Sequence, residues 1–110
     1  EIEGSLREMV ETVVAALGGH VIKTGCGPYL IDWVRQGIIK AVVMNGSAAI
    51  HDFELALAGK TSEDVGATLH EGKFGMARET ADAFAVAAQN GAADELGLGW
   101  ALGKHLEGLN

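Results

Sequence analysis

Ala41-Val-Val-Met-Asn-Gly-Ser-Ala-Ala-Ile-His-Asp-Phe-Glu-Leu55 is the stretch on which the fold turns. The short apolar run Ile38 to Met44 reads as a buried strand. It breaks at Asn45-Gly46, and Ser47 reads as the N-cap of a helix whose first turns carry His51, Asp52 and Glu54. A buried strand opening through small residues into a helix N-terminus is where open α/β sheets place ligands. The polar residues able to do chemistry follow directly.

Upstream, residues 5–17 read as an amphipathic helix, with Leu6, Met9, Val10, Val13, Val14 and Leu17 on one stripe. Ser5 and Glu8 form its capping box, and Gly18-Gly19 stops it. His20 to Lys23, apolar and β-branched at Val21 and Ile22, suits a strand. Thr24-Gly25-Cys26-Gly27-Pro28 then forms a loop, and Pro28 opens a helix that runs to Gln36 and ends at Gly37. This spacing predicts a right-handed parallel β-α-β unit, with the loops Thr24–Pro28 and Asn45–Ser47 side by side on one sheet edge. Beyond Leu57 the pattern is helical: a short helix from Thr61 towards His70, a turn at Gly72–Gly75, a helix over Met76–Asn90 and another over Ala92–Leu106.

The expected fold class is therefore α/β, a Rossmann-like parallel β-α-β unit with a helical second half. Residues 19–57 carry the site, and 61–110 are helical. Two strands do not make a stable open sheet, so the 110 residues read as one segment of a larger doubly wound domain.

Composition narrows the function classes. With 8 Lys+Arg and a formal net charge of -7, the chain lacks the basic stripe that a nucleic acid or an anionic membrane requires. No long apolar span or secretory leader stands out, so the expected location is the cytosol. The single cysteine, Cys26, rules out an internal disulfide. It reads as a small buried hydrophobe rather than a reactive thiol.

Three constellations bear on chemistry. Thr24, Gly25 and Gly27, with Asn45, Gly46 and Ser47, offer backbone N–H groups to a phosphate, although a purely structural turn explains the two-glycine loop equally well. His51 and Asp52 stand near a helix start, as a proton shuttle and its neighbour, or as a backbone-bonded His beside a dipole-favoured Asp. His20, His51, Asp52 and His70 lack the tight spacing of a metal motif, so no metal is expected. Arg78 reads as a surface ion-pair partner, and Gly99 with Gly103, beside Trp100, as a close helix–helix contact.

The stretch Gly37-Ile-Ile-Lys-Ala-Val-Val-Met-Asn-Gly-Ser-Ala-Ala-Ile-His-Asp-Phe-Glu54 resembles part of the deoxyhypusine synthase family. There a hydrophobic strand ends in a Thr-Ala-Gly-Gly type loop, followed by an acidic pair opening a helix. The resemblance covers residues 19–57. It implies that Asn45, Gly46 and Ser47 match the NAD-contacting loop, and that Lys23–Gly27 stands in place of the first cofactor loop. His51 falls where the family has a polyamine-binding glutamate, and Asp52 matches the acidic residue after it. Lys60, Lys73 and Lys104 lack the surroundings of the family's catalytic lysine. The implied activity is NAD-dependent transfer of an aminobutyl group from a small-molecule amine, in a homo-oligomer, a tetramer by resemblance. The alternative is a non-catalytic helical module that associates through apolar faces and keeps only the scaffold.

Overall fold

The computed structural model describes residues 12–60 and 78–109. Among the described residues seven elements follow in order: β1 (Val13–Leu17), α1 (Gly19–Lys23), α2 (Gly27–Arg35), β2 (Ile39–Met44), α3 (Gly46–Ala58), α4 (Arg78–Ala93) and α5 (Leu98–Leu109). The architecture is mixed α/β. The Thr61–His70 helix and the Gly72–Gly75 turn lie outside the described residues, as do positions 5–11 of the first expected helix and Met76-Ala77. The chain divides into two units, residues 1–48 and 49–110.

In the first unit β1 and β2 run parallel, with Val14 opposite Ala41, Ala15 opposite Val42, Ala16 opposite Val43 and Leu17 opposite Met44. The parallel pair is as expected, but its first strand is not. Val13–Leu17 is strand rather than the end of a helix, and Gly19–Lys23 is helix rather than strand. The five-residue run Val-Val-Ala-Ala-Leu fits a helical stripe and a strand equally well; pairing with β2 decides it. In α1 the buried Ile22 outweighs the β-preference of Val21-Ile22.

Two successive helices end by the same device. After α1, Gly25 takes a left-handed φ of 93°; its N–H reaches Ile22 O at 3.1 Å while Cys26 N–H reaches Val21 O at 3.1 Å. After α2, Gly37 (φ 74°) donates to Val34 O at 3.0 Å and Ile38 to Trp33 O at 2.9 Å. These are Schellman closures, and glycine meets the left-handed backbone without a Cβ penalty.

One face of the parallel pair carries Val14, Ala16, Ala41 and Val43, all exposed; Val14 is 52% and Val43 56% accessible. On the other face Ala15 and Leu17 are half-buried, while their partners Val42 and Met44 are exposed. Parallel sheets usually bury both faces, so the apolar character of β1 and β2 exceeds what this unit covers.

In the second unit Phe53 from α3 is buried with Ala87 of α4 and Ala101 and Leu102 of α5, flanked by Ala83, Phe84 and Leu106. Phe53 meets Phe84 edge-on (centroids 5.4 Å, 75°) and stacks with His105 (6.2 Å, 30°). Burying such a ring contributes about 1.5–3 kcal/mol. The α4–α5 approach is set by Gly91: a Cβ there would lie 2.8 Å from Ala101 Cβ and 3.2 Å from Leu96 O. Gly99 and Gly103, expected at the contact, have no neighbour within 4 Å of a Cβ among the described residues. Arg78 pairs with Asp82 at 3.7 Å on the surface, as expected.

Candidate functional site

The carboxyl edge of the parallel pair is where the unit could receive a ligand. Leu17 and Met44 are in register at that edge, and the Asn45 N–H reaches Leu17 O at 3.4 Å. Asn45 then caps α3: its Oδ1 accepts from the Ala48 N–H at 2.9 Å. The cap is thus Asn45 rather than Ser47, which lies inside the first turn with Gly46. With the Ala48 amide satisfied, the Gly46 and Ser47 amides and the Ser47 hydroxyl remain the donors of that turn. Among the described residues, a Cβ at Gly46, or at Gly18 beyond the neighbouring strand, would meet nothing within 4 Å.

Thr24, Gly25 and Gly27 are not part of it. They lie between α1 and α2, because the strand that precedes them is β1 and ends at Leu17. The residues that follow the first strand are Gly18-Gly19-His20. The Thr24, Gly25 and Cys26 amides are engaged by His20, Ile22 and Val21 carbonyls, and the Thr24 hydroxyl donates to His20 O at 2.6 Å. A loop whose amides close a helix has few left for a phosphate. Gly27 is the first residue of α2, followed by Pro28, which carries no N–H. Cys26, expected to be buried, is exposed.

His51 and Asp52 lie on α3 in the second unit. His51 is only 6% exposed, in the same helix turn as Phe53 and Glu54 rather than at a solvent-facing mouth. Asp52 is half-buried, and loss of hydration pushes its pKa up. Glu54, 4% exposed, accepts a 3.2 Å hydrogen bond from the Thr80 hydroxyl of α4. The sequence does not pair Glu54 with Thr80; its one signal is the placement of Glu54 three residues after His51, on the same helix face. Among the described residues no group of three or more His, Cys, Asp or Glu side chains could hold a metal ion, and no helix is long and apolar enough to cross a membrane.

No protein-family model, curated protein or solved structure matches this chain.

Proposed function

We propose that the carboxyl edge of β1 and β2 is the cofactor cradle of an NAD-dependent transferase of the deoxyhypusine synthase type. On this reading the chain is a segment of a larger Rossmann-like, doubly wound domain that works as a cytosolic homo-oligomer on a small amine. One observation supports it above the rest: two parallel strands in register end beside each other at Gly18 and Gly46, and β2 passes directly into the N-terminus of a 13-residue helix. The donors there suit a pyrophosphate, through the Gly46 and Ser47 amides and the Ser47 hydroxyl. Asn45 supplies a carboxamide where dinucleotide folds often use a carboxylate for the ribose. Gly18-Gly19 takes the part that the sequence pattern assigns to Thr24, Gly25 and Gly27. NAD held there would supply a hydride acceptor. Asp52, matched by resemblance to an acidic position of the family, is the group we assign to the substrate amine. His51, buried, is assigned a supporting part in α3 rather than proton transfer.

Calorimetric titration of the 110-residue chain with NAD tests the cradle. Saturable binding that Gly46→Val abolishes and Gly103→Ala leaves intact is the expected result. Absence of binding at millimolar cofactor, or equal binding by Gly46→Val, overturns it.

A second reading, a non-catalytic module that associates through apolar faces, is favoured by the exposed sheet face and by Tyr29, 70% exposed on α2. Sedimentation measures it directly. A chain that stays monomeric at high concentration rejects it.

A further inference from the structure

A cleft lies wholly within the second unit, between the last turn of α4 and the middle of α5. It is open to solvent and encloses about 270 Å³. Gly91 and Ala101 contribute apolar lining; Asn90 and Asp94 border it from the α4 side, Lys104 and His105 from α5. Among the described residues these four polar side chains form no hydrogen bond or ion pair, although each lines the same space. A carboxylate and an ammonium that border one cleft without closing on each other leave room for something to be placed between them.

We propose that this cleft binds a small zwitterion, a molecule carrying one amine and one carboxylate. The amine goes to Asp94, on the side where α4 ends and where the negative end of its dipole adds to the carboxylate. The ligand carboxylate goes to Lys104 and His105. The His105 ring is held by its stacking on Phe53, so it meets a ligand already oriented. Asn90, with a donor and an acceptor, can serve either end. The volume is below the ~300–1,000 Å³ typical of sites for drug-sized ligands, which restricts the occupant to the size of an amino acid and excludes a dinucleotide. The site is independent of the cradle at β1 and β2.

Amide-resolved NMR titration of the 110-residue chain tests this, with glycine, β-alanine and γ-aminobutyrate as zwitterions of increasing charge separation, and methylamine and acetate as half-ligands. The expected result is saturable shifts at Asn90, Asp94, Lys104 and His105 for at least one zwitterion, and about tenfold weaker binding of either half-ligand. Asp94→Asn and Lys104→Met each weaken the zwitterion by about tenfold. Both substitutions are on exposed helix-end or helix-surface positions, and an unchanged thermal melt shows that the fold is kept. Non-saturating shifts for all three zwitterions, equal binding of the half-ligands, or wild-type binding by both variants overturns the assignment.

Discussion

The Thr80 hydroxyl of α4 donates a hydrogen bond of 3.2 Å to Oε1 of Glu54 on α3, across 26 residues of sequence, and both side chains are buried. A carboxyl group taken out of water needs its acceptor sites filled, and this bond fills one of them. Thr80→Val keeps the shape and removes the donor, so it is expected to destabilise the chain by about 1–3 kcal/mol in chemical denaturation. Glu54→Leu added to Thr80→Val removes the acceptor of that bond as well. The double variant should therefore lose less than the sum of the two single losses. Strict additivity would show that the bond does not couple the two helices.

Gly91 and Gly103 make opposite predictions for the same substitution. At Gly91 the added methyl would stand 2.8 Å from Ala101 Cβ, a buried atom on a packed helix, with the Leu96 carbonyl at 3.2 Å. Neither neighbour is a flexible side-chain end, so Gly91→Ala should cost about 1–3 kcal/mol by forcing α4 and α5 apart. At Gly103, inside α5, the methyl meets none of the described residues within 4 Å, and Gly103→Ala should stabilise by up to about 1 kcal/mol through helix propensity. Paired thermal melts decide. Two destabilising results would place Gly103 in a contact of its own.

Glu95 closes α4 in the place where α1 and α2 use glycine. Its φ is 55°, its N–H meets Ala92 O at 3.4 Å, and the next residue, Leu96, bonds back to Gly91 O at 2.7 Å. This is the same closure carried by a residue with a Cβ. Relief of the left-handed strain, set against the extra freedom glycine gives the unfolded chain, makes Glu95→Gly stabilising by about 0.5–1 kcal/mol. A melt unchanged or lowered would show that the Glu95 side chain holds something the backbone does not.

These closures also explain which parts of the chain could be read in advance. α2 was legible because Pro28 and Gly37 punctuate it at both ends, and β2 because the apolar run breaks at Asn45-Gly46. β1 and α1 were exchanged because five apolar residues and a β-branched pair satisfy either period; only their partners choose. The sequence predicts a helix on either side of Gly91, whereas Gly91 lies inside α4 and lets Ala101 approach. The true break carries no glycine at its left-handed position. The Gly25-Cys26-Gly27 loop reads equally as a phosphate cradle and as a structural turn because the chemistry that exposes amides to an anion also closes a helix. Which of the two a glycine loop performs depends on the element before it. Asn45–Ser47 lies at a strand-to-helix junction as the sequence predicts, because the apolar run before it and the helical run after it each have a single reading.

The start of α3 carries a sharp test of that half. Because Asn45 Oδ1, not the Ser47 hydroxyl, accepts from the first turn, Asn45→Ala should cost about 0.5–2 kcal/mol, the usual loss of a helix cap. Ser47→Ala should leave stability within about 0.5 kcal/mol, as for an exposed position away from such a feature. The two variants thereby separate stability from ligand binding: Ser47→Ala is the one expected to weaken NAD without weakening the fold. If Ser47→Ala melts as far below the parent as Asn45→Ala does, the cap assignment is wrong.

Asp52 gives the chain a pH dependence of definite sign. Burial holds its pKa above the ordinary 3.8, so the folded chain binds that proton more tightly than the unfolded chain. The stabilising contribution is complete at pH below 3.8 and is lost as the pH rises through the folded-state value, leaving an ionised, partly dehydrated carboxylate at neutrality. Asp52→Asn removes the charge and keeps the volume. Its Tm is therefore expected to exceed that of the parent at pH 7, with the gap closing as both are acidified to about pH 3, where Asp52 is protonated in both states. Comparing the two chains at each pH cancels the titration of every other carboxylate. A variant less stable than the parent at neutral pH would mean that the Asp52 carboxylate is held by a favourable partner, which would lower its pKa instead.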